Sequence, residues 1–452
     1  MSVTEHVVDR WAAPVAPGAL DALVEVPGSK SLMNRYLVLA ALADGPGELL
    51  GALASRDSLL MAAALEALGA GVHRDGTRWT VEPIPAAGGA HPALGAPQTS
   101  PAPRTPSPVS VECGLAGTVM RFLPPVAALV GRPVTFDGDP GARVRPMGPL
   151  IGALRAIGAT VDDGGRGTLP FTITGGPRFR GGAVDLDASV SSQFVSGLLL
   201  AAPRLESGLR IRHTGRTLPS LPHIQMTVEV LRAAGVVVDD STPDLWIVAP
   251  GAVAARTVRV EPDLSNAAPF LCAALVCAGT VRVPGWPTTT TQPGALLPGI
   301  LAAMGASTTL EDGVLTVTGT GEVHGIDLDL RAAGELTPTI AALAALADSP
   351  TRLRGVAHVR GHETDRLAAL ATEITRLGGQ VEETADGLVI TPRPLHGGVV
   401  ETYHDHRMAT AAALIGLRVP GVQVVDVATT AKTLPDFVGM WTSMLDQTGA
   451  PA

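Results

Sequence analysis

Lysine is almost missing from this chain: 452 residues contain two, Lys30 and Lys432, and asparagine is as rare, at Asn34 and Asn266. Alanine, glycine, proline and arginine are abundant, a composition expected where the genome disfavours lysine and asparagine codons. Arginine can replace lysine wherever only positive charge matters, so a surviving lysine points to a site that needs a compact ammonium or a transferable proton. Cysteine is scarce too. Cys113, Cys272 and Cys277 have no CxxC spacing, cannot all pair, and suit a reducing compartment as buried apolar side chains. The longest apolar runs, such as Ala267–Val281, fall short of the roughly 20 residues of a membrane span. The opening MSVTEHVVDRWAAP has no basic and then apolar stretch of the signal-peptide kind, so a cytoplasmic protein is expected. Neither an HxxxH pattern, a carboxylate metal pattern nor the GxxxxGK phosphate loop is present, and no metal, ATP or other cofactor is expected. The formal charge of −9 argues against nucleic acid as the main partner, so an anionic ligand would need a local basic cluster.

The chain does contain a long-period repeat. An amphipathic stretch ending in a small-residue stop recurs as LEALGAGV, LRAIGATV, LRAAGVVV, LAAMGAST, ITRLGGQV and MLDQTGA, with key glycines Gly69, Gly158, Gly235, Gly305, Gly378 and Gly449. Helical periodicity before each glycine predicts a helix closed by a left-handed cap, with a strand following. A second, more apolar helix also recurs six times: SLMNRYLVLAALA, GTVMRFLPPVAALV, SSQFVSGLLLAA, SNAAPFLCAALVCAG, TPTIAALAALA and HRMATAAALIGL. These are apolar nearly all round and should be buried. At 452 residues two domains are expected, each with three units of about 72 residues in pseudo-threefold closure. The break falls near Pro250–Arg256, and the Pro/Ala/Gly-rich stretch 83–108 reads as an inserted surface loop.

Polar residues gather at the starts of the apolar helices: GSKS–NR, AGT–MR, SVSSQ, DLSN, GELT and YHDHR. Ordinary capping accounts for Ser265 and Thr337. It does not account for Lys30, Arg35, Arg121 and Arg407 beside buried helices, because an unpaired buried charge is costly. Helix N-termini that bind phosphate and carboxylate, with arginine and lysine completing the charge, explain both facts.

PGSKSLMNR, GLAGTVMR, SVSSQF, HETDRL, DHRMA and AKTLPDF occur in the order found in EPSP synthases, and the resemblance to that family runs over almost the entire chain. It implies an α/β protein, a two-domain inside-out α/β barrel in which each domain holds three βαββαβ-like repeats. The first would span 28–250. The second would combine 1–27 with 256–452, with substrates in the cleft between. It implies transfer of the enolpyruvyl group of phosphoenolpyruvate to the 5-hydroxyl of shikimate 3-phosphate by a cofactor-free, monomeric enzyme with no nucleic-acid or membrane partner.

Carried over position by position, Lys30 touches both substrates, and Ser31, Arg35, Ser191, Ser192, Gln193, Ser220, Glu335 and His362 belong to the shikimate 3-phosphate pocket. Gly117, Arg145, Arg366, Arg407 and Lys432 belong to phosphoenolpyruvate, with Gln193 reaching both ligands. Glu335 matches the family's aspartate base and Glu363 its proton donor, the two groups that addition and elimination need on opposite sides. Departures from the family pattern are Glu335 for Asp, His362 for Lys, His358 for Asn, His223 for Tyr and Leu115 for Asn. Histidine titrates near neutrality, so an imidazolium at His362 would bind shikimate 3-phosphate most tightly at lower pH. The sister transferase acting on UDP-N-acetylglucosamine commonly carries a reactive cysteine before the RP motif, but DGDPGARVRP has none. A non-catalytic repeat scaffold gives no reason for two acids and both lysines to fall on ordered motif positions.

Overall fold

The computed structural model describes residues 9–85, 109–176 and 178–448, so the insertion expected at 83–108 and the cap expected at Gly449 fall largely or wholly outside the described residues. The chain divides into two compact units, Lys30–Val260 and Met1–Ser29 with Glu261–Ala452.

In the unit Lys30–Val260 the same four-stranded sheet is built three times. Each pairs two strands in parallel and adds an antiparallel hairpin. The first places Thr257–Arg259 parallel to Gly47–Leu50, followed by Arg78–Glu82 and Gly71–Asp75. The second runs Val109–Glu112, Val134–Asp137, Phe171–Thr174 and Thr160–Asp162. The third runs Gly182–Leu186, Leu209–His213, Leu245–Val248 and Val238–Asp239. Although the repeat pattern breaks at Pro250–Arg256, the strand Thr257–Arg259 still belongs to this unit through Thr257↔Glu48 pairing.

The other unit repeats the plan. Asp21–Leu23 lies parallel to Thr280–Pro284, which continues into Val314–Thr318 and Ser307–Glu311. Asp327–Asp329, Thr351–Arg354, Leu388–Thr391 and Gln380–Glu383 form the next sheet. The last is three-stranded among the described residues: Gly398–Val400 parallel to Val422–Val425, with Arg10–Ala12 antiparallel on its other side.

Within a repeat the order is strand, buried helix, strand, amphipathic helix, hairpin, as in Val109–Glu112, Gly117–Leu129, Val134–Asp137, Gly148–Ala156, Thr160–Asp162 and Phe171–Thr174. The hairpin thus follows the second helix, where the βαββαβ reading had paired strands between the helices. The physical reason is the glycine stop. Gly69, Gly158, Gly235, Gly305 and Gly378 all have φ between 81° and 114°, and this turn delivers the chain directly into the antiparallel hairpin.

The helices lie inside and the sheets outside. Eleven of the thirteen residues of Gly117–Leu129 and thirteen of the fourteen of Leu264–Cys277 are buried, whereas strands such as Leu209–His213 alternate buried and exposed. Close packing of the inner helices demands a small residue at Gly197, where an added Cβ would stand 2.2 Å from the Arg121 carbonyl oxygen. The second helices are amphipathic: Arg366–Arg376 buries Arg366, Leu367, Leu370, Glu373 and Ile374 along one stripe. No helix among the described residues is long and apolar enough to cross a membrane.

Candidate active site

In the unit Lys30–Val260, Lys30, Gly117 and Gln193 are the first residues of the three buried helices Lys30–Ala41, Gly117–Leu129 and Gln193–Ala201. Backbone N–H groups in a first turn have no intrahelical acceptor, so each start offers donors and the positive end of a helix dipole. Lys30 Nζ stands 3.4 Å from Asp57 Oδ2, a buried carboxylate. An added Cβ at Gly117 would stand 3.2 Å from Arg121 Nη1, 3.2 Å from Gln193 Oε1 and 3.5 Å from Arg145 Nη1. Glycine therefore keeps a gap among three polar groups that any side chain would fill.

Arg121 is the informative neighbour. It is 5% exposed, donates to Gln193 Oε1 at 2.9 Å and lies over the Phe194 ring at 5.4 Å, with no acid in ion-pair range among the described residues. Burial, with Arg145 adding repulsion, pushes its pKa down to about 9. A cation held so needs an anion. Arg145, nearby, donates to the Leu115 carbonyl at 3.1 Å.

Arg35 is buried differently from the expectation of a guanidinium directed at ligand. It donates to Thr227 Oγ1, the Ser31 carbonyl and the His223 carbonyl at 2.8 Å each and to Ser196 Oγ at 3.5 Å. A guanidinium has five N–H donors, so most of this one is spent tying the first buried helix to the third and to Leu221–Ala233. Ser220 caps that last helix in the left-handed region, φ 52°, and Ser191 accepts from the Gln193 amide at 3.3 Å while Ser192 is buried beside it.

The second unit gathers Glu335, His362, Glu363, Arg366, Arg407 and Lys432. Arg366, which opens the helix Arg366–Arg376, grips the buried Asp405 with two parallel bonds, Nε to Oδ2 at 2.7 Å and Nη2 to Oδ1 at 3.0 Å. Asp405 in turn caps His406–Gly416, accepting from the Arg407 amide at 2.9 Å. Glu363 receives Lys432 Nζ at 2.9 Å on Oε1 and His406 Nδ1 at 2.9 Å on Oε2. Burial favours the neutral acid, yet His406, Lys432 and Arg366 together outweigh it and hold Glu363 well below the usual carboxylate range. Burial likewise lowers the His406 pKa against the pull of Glu363. Glu335 lies in the turn Gly334–Leu336 leading into Thr337–Ala345 and accepts from Ser265 Oγ at 3.4 Å. Arg407 is half-buried, reaches the Ser265 carbonyl at 3.4 Å, and has no acid in ion-pair range among the described residues. Desolvation and the charge of Arg366 lower its pKa.

His362 places its Nδ1 3.1 Å from Arg366 Nη1, a contact in which a neutral ring nitrogen accepts from the guanidinium. Sequence reasoning also left Arg121, Asp405 and His406 out of the site. Their signals were present: a charge in an apolar helix for Arg121, and the DHRMA string for the other two. Glu363, Asp405 and His406 are also close enough to hold a metal ion, but Arg366 and Lys432 already bring positive charge to the two carboxylates.

In each unit a guanidinium beside the start of a buried helix, Arg121 in one and Arg407 in the other, has no acid in ion-pair range among the described residues, and the second unit adds carboxylates placed to accept or pass protons, groups suited to small anionic substrates on a duplicated α/β fold. The sequence matches the EPSP synthase (3-phosphoshikimate 1-carboxyvinyltransferase) family over residues 15–441. A 3-phosphoshikimate 1-carboxyvinyltransferase of Kocuria rhizophila is 56% identical over 443 residues, covering 98% of each chain. Two EPSP synthase structures from Acinetobacter baumannii superpose with TM-scores of 0.77 and 0.76 at 26% and 25% identity, over 97% and 98% of this chain and 98% of theirs. The chain belongs to the EPSP synthase family.

Proposed function

We infer that this chain transfers the enolpyruvyl group of phosphoenolpyruvate to the 5-hydroxyl of shikimate 3-phosphate and releases phosphate. The observation that carries the reading is the pair Arg121, buried, and Arg407, half-buried, cations with no acid in ion-pair range among the described residues. Anionic substrates supply the missing charge. Shikimate 3-phosphate is assigned to Lys30, Ser31, Ser191, Ser192, Gln193 and Ser220, with Glu335 and His362. Phosphoenolpyruvate is assigned to Lys30, Gly117, Arg145, Gln193, Arg366, Arg407 and Lys432. Arg35 acts through Ser31 and the His223 carbonyl that it fastens.

Glu335 takes the 5-hydroxyl proton as that oxygen attacks C2 of phosphoenolpyruvate, while C3 gains a proton and a tetrahedral ketal forms. Loss of a C3 proton then restores the double bond as the carbon–oxygen bond to phosphate breaks. Because Glu363 is held as a carboxylate, the proton for C3 is assigned to the Lys432–Glu363–His406 cluster rather than to Glu363 alone. The cations around both substrates stabilise the phosphate and carboxylate charges through the two steps. A cytoplasmic location accords with three free cysteines, two of them buried. The test is phosphate release from phosphoenolpyruvate with and without shikimate 3-phosphate.

The state of His362 makes a separate prediction. As a neutral imidazole accepting from Arg366 at Nδ1, it brings no titrating charge to the ligand. His362→Lys and the native chain should therefore show the same pH dependence of shikimate 3-phosphate affinity above neutrality, measured by calorimetric titration. A steeper loss in the native chain as pH rises would mean that it binds as imidazolium.

A further inference from the structure

The segment that leads into His406–Gly416 contains two consecutive non-glycine residues at positive φ, Tyr403 at 55° and His404 at 57°. L-residues with side chains avoid this region, and such a conformation persists only where the surroundings hold it. What holds it is the helix Arg366–Arg376. At one end of the segment, the buried Glu373 accepts the Tyr403 hydroxyl on Oε1 at 2.6 Å and the Glu401 amide on Oε2 at 3.1 Å. Arg376 completes that carboxylate at 2.7 Å. At the other end, Arg366 grips Asp405. The two pins lie seven residues apart on one helix, about 10 Å along its axis. Between them the chain reverses, Asp405 N bonding back to the Thr402 carbonyl at 2.9 Å, and immediately after them come His406 and Arg407.

We propose that Glu373 and Tyr403 are positioning residues, which hold the Tyr403–His404 reversal so that Asp405 meets Arg366 and Arg407 faces phosphoenolpyruvate. The pair is assigned to neither substrate. Its bond is charge-assisted and short, and burial with the adjacent Glu373 raises the Tyr403 pKa to about 12, so the hydroxyl remains a donor across the working range. Without that bond the reversal keeps only the Glu401 amide on Glu373, the exposed His404–Asp426 contact at 3.1 Å and the Arg366 end, and the register of Arg407 loosens. The inference rests on the reading that Arg366 and Arg407 bind phosphoenolpyruvate.

The experiment compares Tyr403→Phe, Glu373→Gln, the double variant and Arg407→Lys in the full chain. Each is measured for kcat, KM of each substrate and melting temperature. Tyr403 is 38% exposed, so losing its hydroxyl leaves packing intact. Tyr403→Phe should raise KM for phosphoenolpyruvate about three- to tenfold, less than the full scale of one hydrogen bond to a charged group because the pair acts indirectly, with KM for shikimate 3-phosphate and the melting temperature unchanged. Because the two residues act through one bond, the double variant should be no worse than the more affected single variant. An unchanged KM for phosphoenolpyruvate in Tyr403→Phe overturns the proposal while Arg407→Lys still raises it. Equal rises for both substrates with a lower melting temperature also overturn it, since they mean general loosening. If Arg407→Lys itself leaves KM for phosphoenolpyruvate untouched, the binding assignment falls, and the role of the pair with it.

Discussion

Glu335→Gln should lower kcat at least about a hundredfold, the usual scale for loss of a general base, while the fold and most substrate affinity survive. Glutamine keeps the shape of the side chain and an oxygen that can still accept from Ser265 Oγ, 3.4 Å away. What it lacks is the basic oxygen that takes the hydroxyl proton. Glu335→Asp should keep part of the activity, because the carboxylate survives with a shorter reach. Steady-state kinetics and calorimetric binding separate the two effects. Near-native turnover in the glutamine variant would remove Glu335 from the mechanism.

Arg366→Ala should be damaging twice. The substitution leaves Asp405, with a fully buried side chain, without its bidentate partner. Breaking one side of a buried pair costs about 3–5 kcal/mol, and for a unit of this size each kcal/mol lowers the melting temperature by about 2–4 °C. It also removes a cation assigned to phosphoenolpyruvate and the donor to His362 Nδ1. Adding Asp405→Ala should recover much of the lost melting temperature, since no unpaired buried charge remains, without recovering affinity for phosphoenolpyruvate. Thermal unfolding and the KM for phosphoenolpyruvate distinguish these. A double variant that regained both would show that the pair is structural only.

The local half of this architecture was written in the chain. The glycine stops at Gly69, Gly158, Gly235, Gly305 and Gly378 mark the repeat because only a left-handed cap turns each helix into its hairpin. The apolar helices announced their own burial. The scarcity of lysine drew attention to two placed ammonium groups, for Lys30 meets Asp57 and Lys432 meets Glu363. The two asparagines are internal fasteners: Asn34 donates to Thr118 Oγ1 at 2.6 Å and Asn266 accepts from Thr433 Oγ1 at 3.3 Å.

The rest depended on distances that no local pattern encodes. Thr257–Arg259 pairs with Gly47–Leu50 across some 200 residues, and three residues of alternating character carry no record of their partner. The same holds for Arg10–Ala12 against Val422–Val425. At the site, residue types were readable but their states were not. Glu363 reads as an acid until His406 and Lys432 are found on its two oxygens. His362 reads as a cation facing ligand, and no local pattern records that its Nδ1 faces the Arg366 guanidinium at 3.1 Å. Arg35 reads as a ligand contact until its donors are traced to Thr227, Ser31 and His223.

The most direct test of the account is phosphate release from phosphoenolpyruvate by the purified full chain in chelator-treated buffer. Release should require shikimate 3-phosphate, match its consumption mole for mole, and yield the 5-enolpyruvyl ether as the sole organic product. Release at the same rate without shikimate 3-phosphate, or release supported by UDP-N-acetylglucosamine in its place, would contradict the account.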